Sequence, residues 1–461
     1  MLFFLALALI SMVLSADPYT CGGSQQVDPS SNLNVPYYWP NNWNETMDPA
    51  TYAGSQSCNW KINVPQGMFA TVIFYKDTDS ESGITSTYPN GEENYIEDMD
   101  LNPYIFTSPQ FQVNLHVSDR QGKFSFKVTW SKYPPTCQMN MYLDGSSPMV
   151  GSPNECVTTF IAPNEVFFVG FTLQDNRYSL LRQSAIYEGD SVNGKYLGNL
   201  YSARYNQLIS SGNKLTLYTF GLLNYFHYTL FMGLDSQAVG DVKQMTGYHC
   251  PSDPTASCGI SINSEQSVSA VATVGQETDY IQPFLIFPAG VTMNLYEGRV
   301  SDEGLLASLN GNNYYNQLPI GVKNVVKIYK LDSGRMTIPI TRNATVANYG
   351  TVFDGRILNI HSFDRQINSY NQDTNEVYST ANNEKLYFKF NVKFSDFAAK
   401  TSLAIQITRD GKVVFANTFT ASNIPPPNVL KVYGDQMSVS YQTYGLVTKG
   451  FEINLTTVMN G

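Results

Sequence analysis

Tyr187-Glu188-Gly189, Tyr205-Asn206-Gln207-Leu208 and Asn213-Lys214-Leu215-Thr216-Leu217-Tyr218 stand in that order along the chain. The order returns as Tyr296-Glu297-Gly298, Tyr315-Asn316-Gln317-Leu318 and Asn324-Val325-Val326-Lys327-Ile328-Tyr329. The three landmarks are offset by 109, 110 and 111 positions (187 to 296, 205 to 315, 213 to 324), so they move as one block. A period of that size is an ordinary small domain rather than a short solenoid repeat.

Fainter copies flank the clear pair. The apolar alternation that closes each block recurs as Phe111-Gln-Val113-Asn-Leu115-His116 and as Asn428-Val-Leu430-Lys-Val432-Tyr433. Aligning Leu115, Leu217, Ile328 and Val432 gives steps of 102, 111 and 104. Cys58, Cys156 and Cys258 each open a strand-like run, at offsets of 98 and 102. Four units follow, at 17–133, 134–245, 246–342 and 343–461, after a leader at 1–16.

Period-two alternation dominates the rest, as in Phe124-Ser-Phe126-Lys-Val128-Thr-Trp130 and Leu386-Tyr-Phe388-Lys-Phe390-Asn-Val392. Turn signals such as Pro89-Asn90-Gly91, Asp144-Gly145 and Asp410-Gly411 bound the runs. No amphipathic helical pattern of useful length interrupts them. The expected fold class is all-β: tandem antiparallel β-sandwiches, with Leu215/Leu217 or Val326/Ile328 on the buried face of a unit. Tyr133-Pro134-Pro135 reads as a linker between units. Pro425-Pro426-Pro427 reads as a rigid loop within the fourth unit, replacing the Tyr-Asn-Gln-Leu segment.

Residues 2–14 are almost wholly apolar and end at Ser15-Ala16, the length and ending of a signal peptide with cleavage after Ser15 or Ala16. The expectation is a secreted, extracellular protein with no stable membrane insertion. The glycosylation sequons at Asn44, Asn343 and Asn454 suit that route. Six cysteines in an oxidising compartment imply disulfides. The repeat assigns one pair to each of the first three units: Cys21–Cys58, Cys137–Cys156 and Cys250–Cys258. The formal net charge is −10, with 28 basic against 38 acidic residues and no basic cluster, which argues against nucleic acid as a partner.

The first unit resembles a known family. Cys58-Asn-Trp60-Lys-Ile62, then Pro65-Gln-Gly67, resembles the opening strand of CUB domains. Ser118-Asp119 followed by Gly122-Lys-Phe124-Ser-Phe126 resembles their closing segment, and Tyr187-Glu-Gly189 and Tyr296-Glu-Gly298 sit where CUB domains carry a Gly turn. With the leader and Trp39-Pro40-Asn-Asn-Trp43, the chain is most similar to the nematode CUB-like group of secreted proteins. The specific motifs cover about 20–132. The resemblance implies a CUB-like jelly roll and a role among inducible defence or stress-response effectors. It also raises calcium: Asp119 matches the last acidic ligand of the CUB site, with Asp77 or Asp79 as a partner and Glu92–Asp100 as a further acidic source. The unit departs from the family in lacking the second cysteine pair and the Cys-x-Tyr-Asp element. Calcium needs several convergent oxygens, and the alternative is that these are solvated loop carboxylates.

Catalysis is not called for by the residues. The four histidines are His116, His227, His249 and His361, and His116 stands where the repeat carries Tyr, so it reads as a structural substitute. There is no Gly-x-Ser-x-Gly, His-Glu-x-x-His or phosphate-binding glycine loop. The expectation is a non-enzymatic binding or effector protein in innate defence or stress response. It would recognise an extracellular ligand, a glycan or microbial surface, through its sandwich loops and residues such as Tyr314-Tyr315-Asn316. The alternatives are a structural or adhesive component of an extracellular assembly and, more remotely, an enzyme with a scattered site. No cofactor other than calcium is implied.

Overall fold

The computed structural model describes residues 18–460 except 80, 99, 119, 121, 146, 174, 175, 252, 254, 284–286, 368 and 399. The leader lies outside the described residues. The chain divides into two compact bodies, residues 1–135 and 136–461.

The first body contains ten strands: β1 (Ser24–Val27), β2 (Tyr37–Trp39), β3 (Thr51–Tyr52), β4 (Gln56–Asn63), β5 (Met68–Asp77), β6 (Gly83–Thr87), β7 (Glu93–Tyr95), β8 (Tyr104–Thr107), β9 (Gln110–Val117) and β10 (Gly122–Lys132). One sheet runs β1-β4-β9-β6-β7. The other runs β2-β10-β5-β8, with β3 also on β10. All pairs are antiparallel except β1 with β4. Burial alternates strictly along β4 and β5, so each sheet gives one face to the core. That core is aromatic. Trp60 of β4 is fully buried and lies 5.4 Å from Trp39 and Phe126 and 5.7 Å from Phe124. Phe106 of β8 stacks on Phe111 of β9 at 3.9 Å. Burying a side chain of Phe size is worth about 1.5–3 kcal/mol, so these rings hold the two sheets face to face.

The same order recurs three times in residues 136–461. Val157–Ile161, Ser269–Val274 and Thr374–Thr380 take the place of β4, each with a parallel neighbour in the place of β1. Each copy closes over its own core, built around Phe160 and Leu217, Ile262 and Tyr329, or Phe388 and Val439. The protein is all-β, a series of CUB-like sandwiches. Among the described residues no helix is long and apolar enough to cross a membrane.

The second and third sandwiches share a sheet. Phe167 and Phe168 pair with only two residues of their own edge strand, and Phe171 and Thr172 then pair with Gly247 and Tyr248 of the next sandwich. Gly247 is required at this junction, because a Cβ there would lie 2.7 Å from the Gly170 carbonyl. The result is a nine-stranded sheet with apolar residues on both faces. Phe167, Val169 and Phe171 pack with Ala270, Ala272, Val326 and Ile328 in a separate cluster between the layers. The boundary drawn from the sequence at 245/246 therefore falls inside the strand Gln244–Tyr248.

Three alignments made from the sequence are corrected by this topology. First, Tyr187 pairs with Thr216 but Tyr296 pairs with Ile328, an offset one residue longer than the landmarks gave. A one-residue slip flips every side chain to the other face. Leu215 and Leu217 fill their own sandwich, whereas Val326 and Ile328 face the interlayer cluster, and Lys327 and Tyr329 point inward. Second, the strand Ser257–Ser264 carrying Cys258 takes the place of β2, not β4. Third, Leu430–Gly434 takes the place of β8, and the true counterpart of β9 is Gln436–Gln442. Pro425–Pro427 thus precedes the β8 counterpart, where Tyr-Asn-Gln-Leu stands in the second and third copies.

The disulfides are Cys21–Cys58, Cys137–Cys156 and Cys250–Cys258, one within each of the first three sandwiches. The first two tie the approach to the first strand onto the β4 position. The third instead ties the end of Gln244–Tyr248 to the opposite sheet, as the second correction requires.

Candidate functional site

The outer face of the first sheet carries a row of polar side chains in one register. Ser24 pairs with Asn59, Asn59 with Asn114, Asn114 with Thr85, and Thr85 with Tyr95, one residue from each of the five strands. Alternation places them there, since the residues on either side of Asn59 and Asn114 are buried in the core. The row is hydrogen-bonded from Ser24 to Thr85. Ser24 Oγ donates to Asn59 Oδ1 at 3.1 Å, Asn59 Nδ2 donates to Asn114 Oδ1 at 2.5 Å, and Asn114 Nδ2 donates to Thr85 Oγ1 at 3.3 Å. Beside it, Ser57 Oγ lies 3.2 Å from His116 Nδ1. Together these residues line an open groove of about 540 Å³.

Tyr95 forms one wall. Its ring is 55% exposed and lies against Gly83, where even a methyl group would sit 3.2 Å from the ring edge. Lys76 fixes it from below, with Nζ 2.9 Å from the Tyr95 hydroxyl and 4.4 Å from the ring centroid. Lys76 is itself held by Asp98 at 2.9 Å. The groove therefore offers amides, hydroxyls and one fixed aromatic face, with Glu81 and His116 as its ionisable groups. Such a set can offer hydrogen bonds and a ring contact to a neutral, hydroxyl-rich group.

A second concentration of polar groups lies between the third and fourth sandwiches. Glu297 Oε1 accepts from the Lys323 backbone N–H at 2.6 Å, and its Oε2 accepts from Arg365 Nε at 2.8 Å. Arg365 Nη1 donates to Glu452 Oε2 at 2.9 Å, and its Nη2 donates to the Leu305 carbonyl at 3.0 Å. Lys323 Nζ pairs with Glu376 at 2.6 Å and also donates to the His361 carbonyl. Burial pushes the Glu297 carboxyl up to about 7 against the pull of Arg365 and Lys323. Burial and the neighbouring cations Lys323 and Arg365 push His361 down, leaving it neutral. Burial also raises Glu452, but Arg365, Lys393 and Asn359 outweigh it and hold that carboxyl low.

Asp119 lies outside the described residues. Asp77 is exposed at the end of β5, opposite Lys123 of β10. Asp79 is occupied within its own loop, accepting from the Ser82 and Glu81 backbone N–H groups and from Ser118 Oγ. Among the described residues no group of three or more His, Cys, Asp or Glu is arranged to hold a metal. His116, read as a structural substitute for the repeat's Tyr, is exposed on the groove. Tyr314 packs on Phe287 at 5.0 Å while Tyr315 is exposed. Asn44 and Asn454 are exposed and Asn343 is half-buried. The polar row was missed because it exists only once strands distant in sequence are paired. Its one trace is the polar alternation Asn59, Lys61 and Gln112, Asn114.

Residues 16–134 match the family described as CUB-like domain. No curated protein matches the chain. Among solved structures, the human MASP-1/3 CUB1-EGF-CUB2 segment shares 9% identity, covering 40% of this chain and 94% of its own, with a TM-score of 0.16. The Aeromonas hydrophila periplasmic inhibitor of g-type lysozyme shares 10%, covering 24% and 98%, with a TM-score of 0.16. The extracellular region of zebrafish Gpr126/Adgrg6 shares 9%, covering 95% and 53%, with a TM-score of 0.19.

Proposed function

We propose that this is a secreted, non-enzymatic binding protein of defence or stress response, built from four CUB-like sandwiches. In this reading the first sandwich takes neutral glycan through the row Ser24–Asn59–Asn114–Thr85–Tyr95. The observation that carries it is the row itself, four polar residues in register across the sheet with the fixed ring of Tyr95 at its end. The match to the CUB-like family at 16–134 and the three disulfides support an extracellular setting. The defence assignment rests on resemblance, as does calcium at Asp119 and Asp77, while cleavage near Ala16 rests on the apolar run 2–14 and its small-residue ending.

The test is binding of the full chain to a panel of neutral glycans and to whole bacteria, with calcium and with chelator. A glycan bound by the wild type should be lost by at least about tenfold in an Asn59→Ala/Asn114→Ala double variant, since each lost hydrogen bond is worth about 1 kcal/mol. Loss in chelator would add calcium to the site. Absence of all binding would overturn the reading in favour of a structural component, which the shared sheet of the second and third sandwiches would suit, and an unaffected double variant would overturn the polar row as the site.

A further inference from the structure

We propose that residues 136–461 hold a second ligand site, for an acidic saccharide, in the cleft above the Glu297–Arg365–Glu452 cluster. The cleft has a volume of about 730 Å³ and is lined by Arg299, Arg365, Lys393 and Lys449 against Asp144, Glu297 and Glu303. In a chain of net charge −10, four cations converging from four separate segments is not the average surface. Arg299 comes from the turn after Thr292–Glu297 and Arg365 from the segment after Ile357–His361. Lys393 comes from the strand Leu386–Ser395, and Lys449 precedes the strand Phe451–Val458.

The cations divide into a fixed floor and available walls. Arg365 is spent: its three donating nitrogens reach Glu297, Glu452 and the Leu305 carbonyl. The walls keep capacity. Lys393 Nζ makes one ion pair, to Glu452 at 3.0 Å, and its side chain is 57% exposed. Among the described residues Arg299 pairs with the exposed Glu303 alone, at 3.4 Å, which leaves most of its guanidinium donors open there. Lys449 is exposed, and among the described residues its ammonium has no ion-pair partner. Glu452 thus orients Lys393, while among the described residues Arg299 and Lys449 have no comparably buried partner.

The remaining wall decides the ligand class. Phe394 and Ile367 add apolar surface beside the cations. A ring with one C–H-rich face and an anionic substituent satisfies both, which is the chemistry of a carboxylated or sulfated sugar. The volume suits a short oligosaccharide rather than a polymer face. Because the chain as a whole is acidic, attraction is confined to the cleft, within the screening length of about 8 Å at physiological salt. Binding should therefore weaken as salt rises.

The test is calorimetric titration of the full chain with a hexuronate trisaccharide, a sulfated trisaccharide and a neutral hexose trisaccharide of equal length. At least one acidic sugar should bind, with the neutral one at least about tenfold weaker at this site. Lys449→Glu should weaken the acidic sugar by about tenfold or more, and Arg299→Gln by several-fold, without a change in melting temperature. The Asn59→Ala/Asn114→Ala variant should leave this affinity unchanged, which separates the cleft from the groove. The sulfated and carboxylated arms tell the two acid chemistries apart. Equal affinity for the neutral sugar in the Asn59→Ala/Asn114→Ala variant, no binding of either acidic one, or indifference to both Lys449→Glu and Arg299→Gln would overturn the proposal.

Discussion

Glu188 and Glu297 occupy the same place in two copies of one turn, and their surroundings make them different groups. In each copy the carboxylate reaches back to the loop that leads into the β9 counterpart. Glu188 accepts from the Ser211 N–H at 3.0 Å and the Gly212 N–H at 3.2 Å, on the surface of the second sandwich. Glu297 accepts from the Lys323 N–H in the equivalent loop of the third. The fourth sandwich then covers Glu297, leaving it 4% exposed and bringing Arg365 against its other oxygen. The local task, stapling a loop by accepting a backbone N–H, is thus the part the two copies share. Its electrostatics come from whichever sandwich is stacked on it.

The strongest way to break this comparison is to remove Arg365. Arg365→Met leaves Glu297 and Glu452 buried without their shared counter-ion, and should cost about 3–5 kcal/mol in denaturant unfolding of the chain. A second change, Glu297→Gln, should recover part of that loss, because the two residues form one network. A cost below about 1 kcal/mol for Arg365→Met would mean that the third and fourth sandwiches are joined by other contacts, such as the Lys323–Glu376 pair, and not by Arg365.

Such a network illustrates what the sequence could and could not disclose. The Tyr-Glu-Gly turns, the strand alternation and the pairing of cysteines within units are all local or periodic, and they were legible. Where both faces of a strand are buried, periodicity loses its meaning. Val326–Leu331 is buried throughout, so nothing in it showed that Ile328 faces the neighbouring sandwich rather than its own. Cys258 and Val432 misled for a related reason: apolar alternation identifies a strand but not the sheet that takes it. Arg365 lies in no motif, and Asn59, Asn114, Thr85 and Tyr95 acquire a common role only through register. For the same reason His116 was read by its neighbours in sequence and not by Ser57 across the sheet.

A subtler test uses pH. The Glu297 carboxyl is raised from an ordinary 4.5 to about 7, so the folded state holds a proton that the unfolded chain releases. Its contribution to stability is full below about pH 4.5 and is lost as pH rises through about 7. His361, pushed down by burial and by Lys323 and Arg365, works in the other direction, adding stability as pH rises toward 6.5. In the wild type the two oppose each other in that window. Glu297→Gln removes one of them. Relative to wild type, the variant should gain up to about 3 kcal/mol between pH 4.5 and pH 8, read from denaturation midpoints across that range. A stability difference between the two proteins that stays flat with pH would show that Glu297 is ionised throughout and that Arg365 fully compensates its burial.

The smallest expected effect is the mirror substitution, Glu188→Gln. The amide oxygen still accepts from the Ser211 or Gly212 N–H, and no buried cation loses a partner, since the ion pair nearest this turn joins Lys214 to Asp190 on the surface at 2.8 Å. The loss should stay below about 1 kcal/mol. The value lies in the contrast with Glu297→Gln, because the two variants make the same chemical change in the same turn. If Glu188→Gln matched Glu297→Gln in size and in pH dependence, the turn itself would set the energetics. If it stays small, the difference between the two measures what stacking a further sandwich does to one carboxylate.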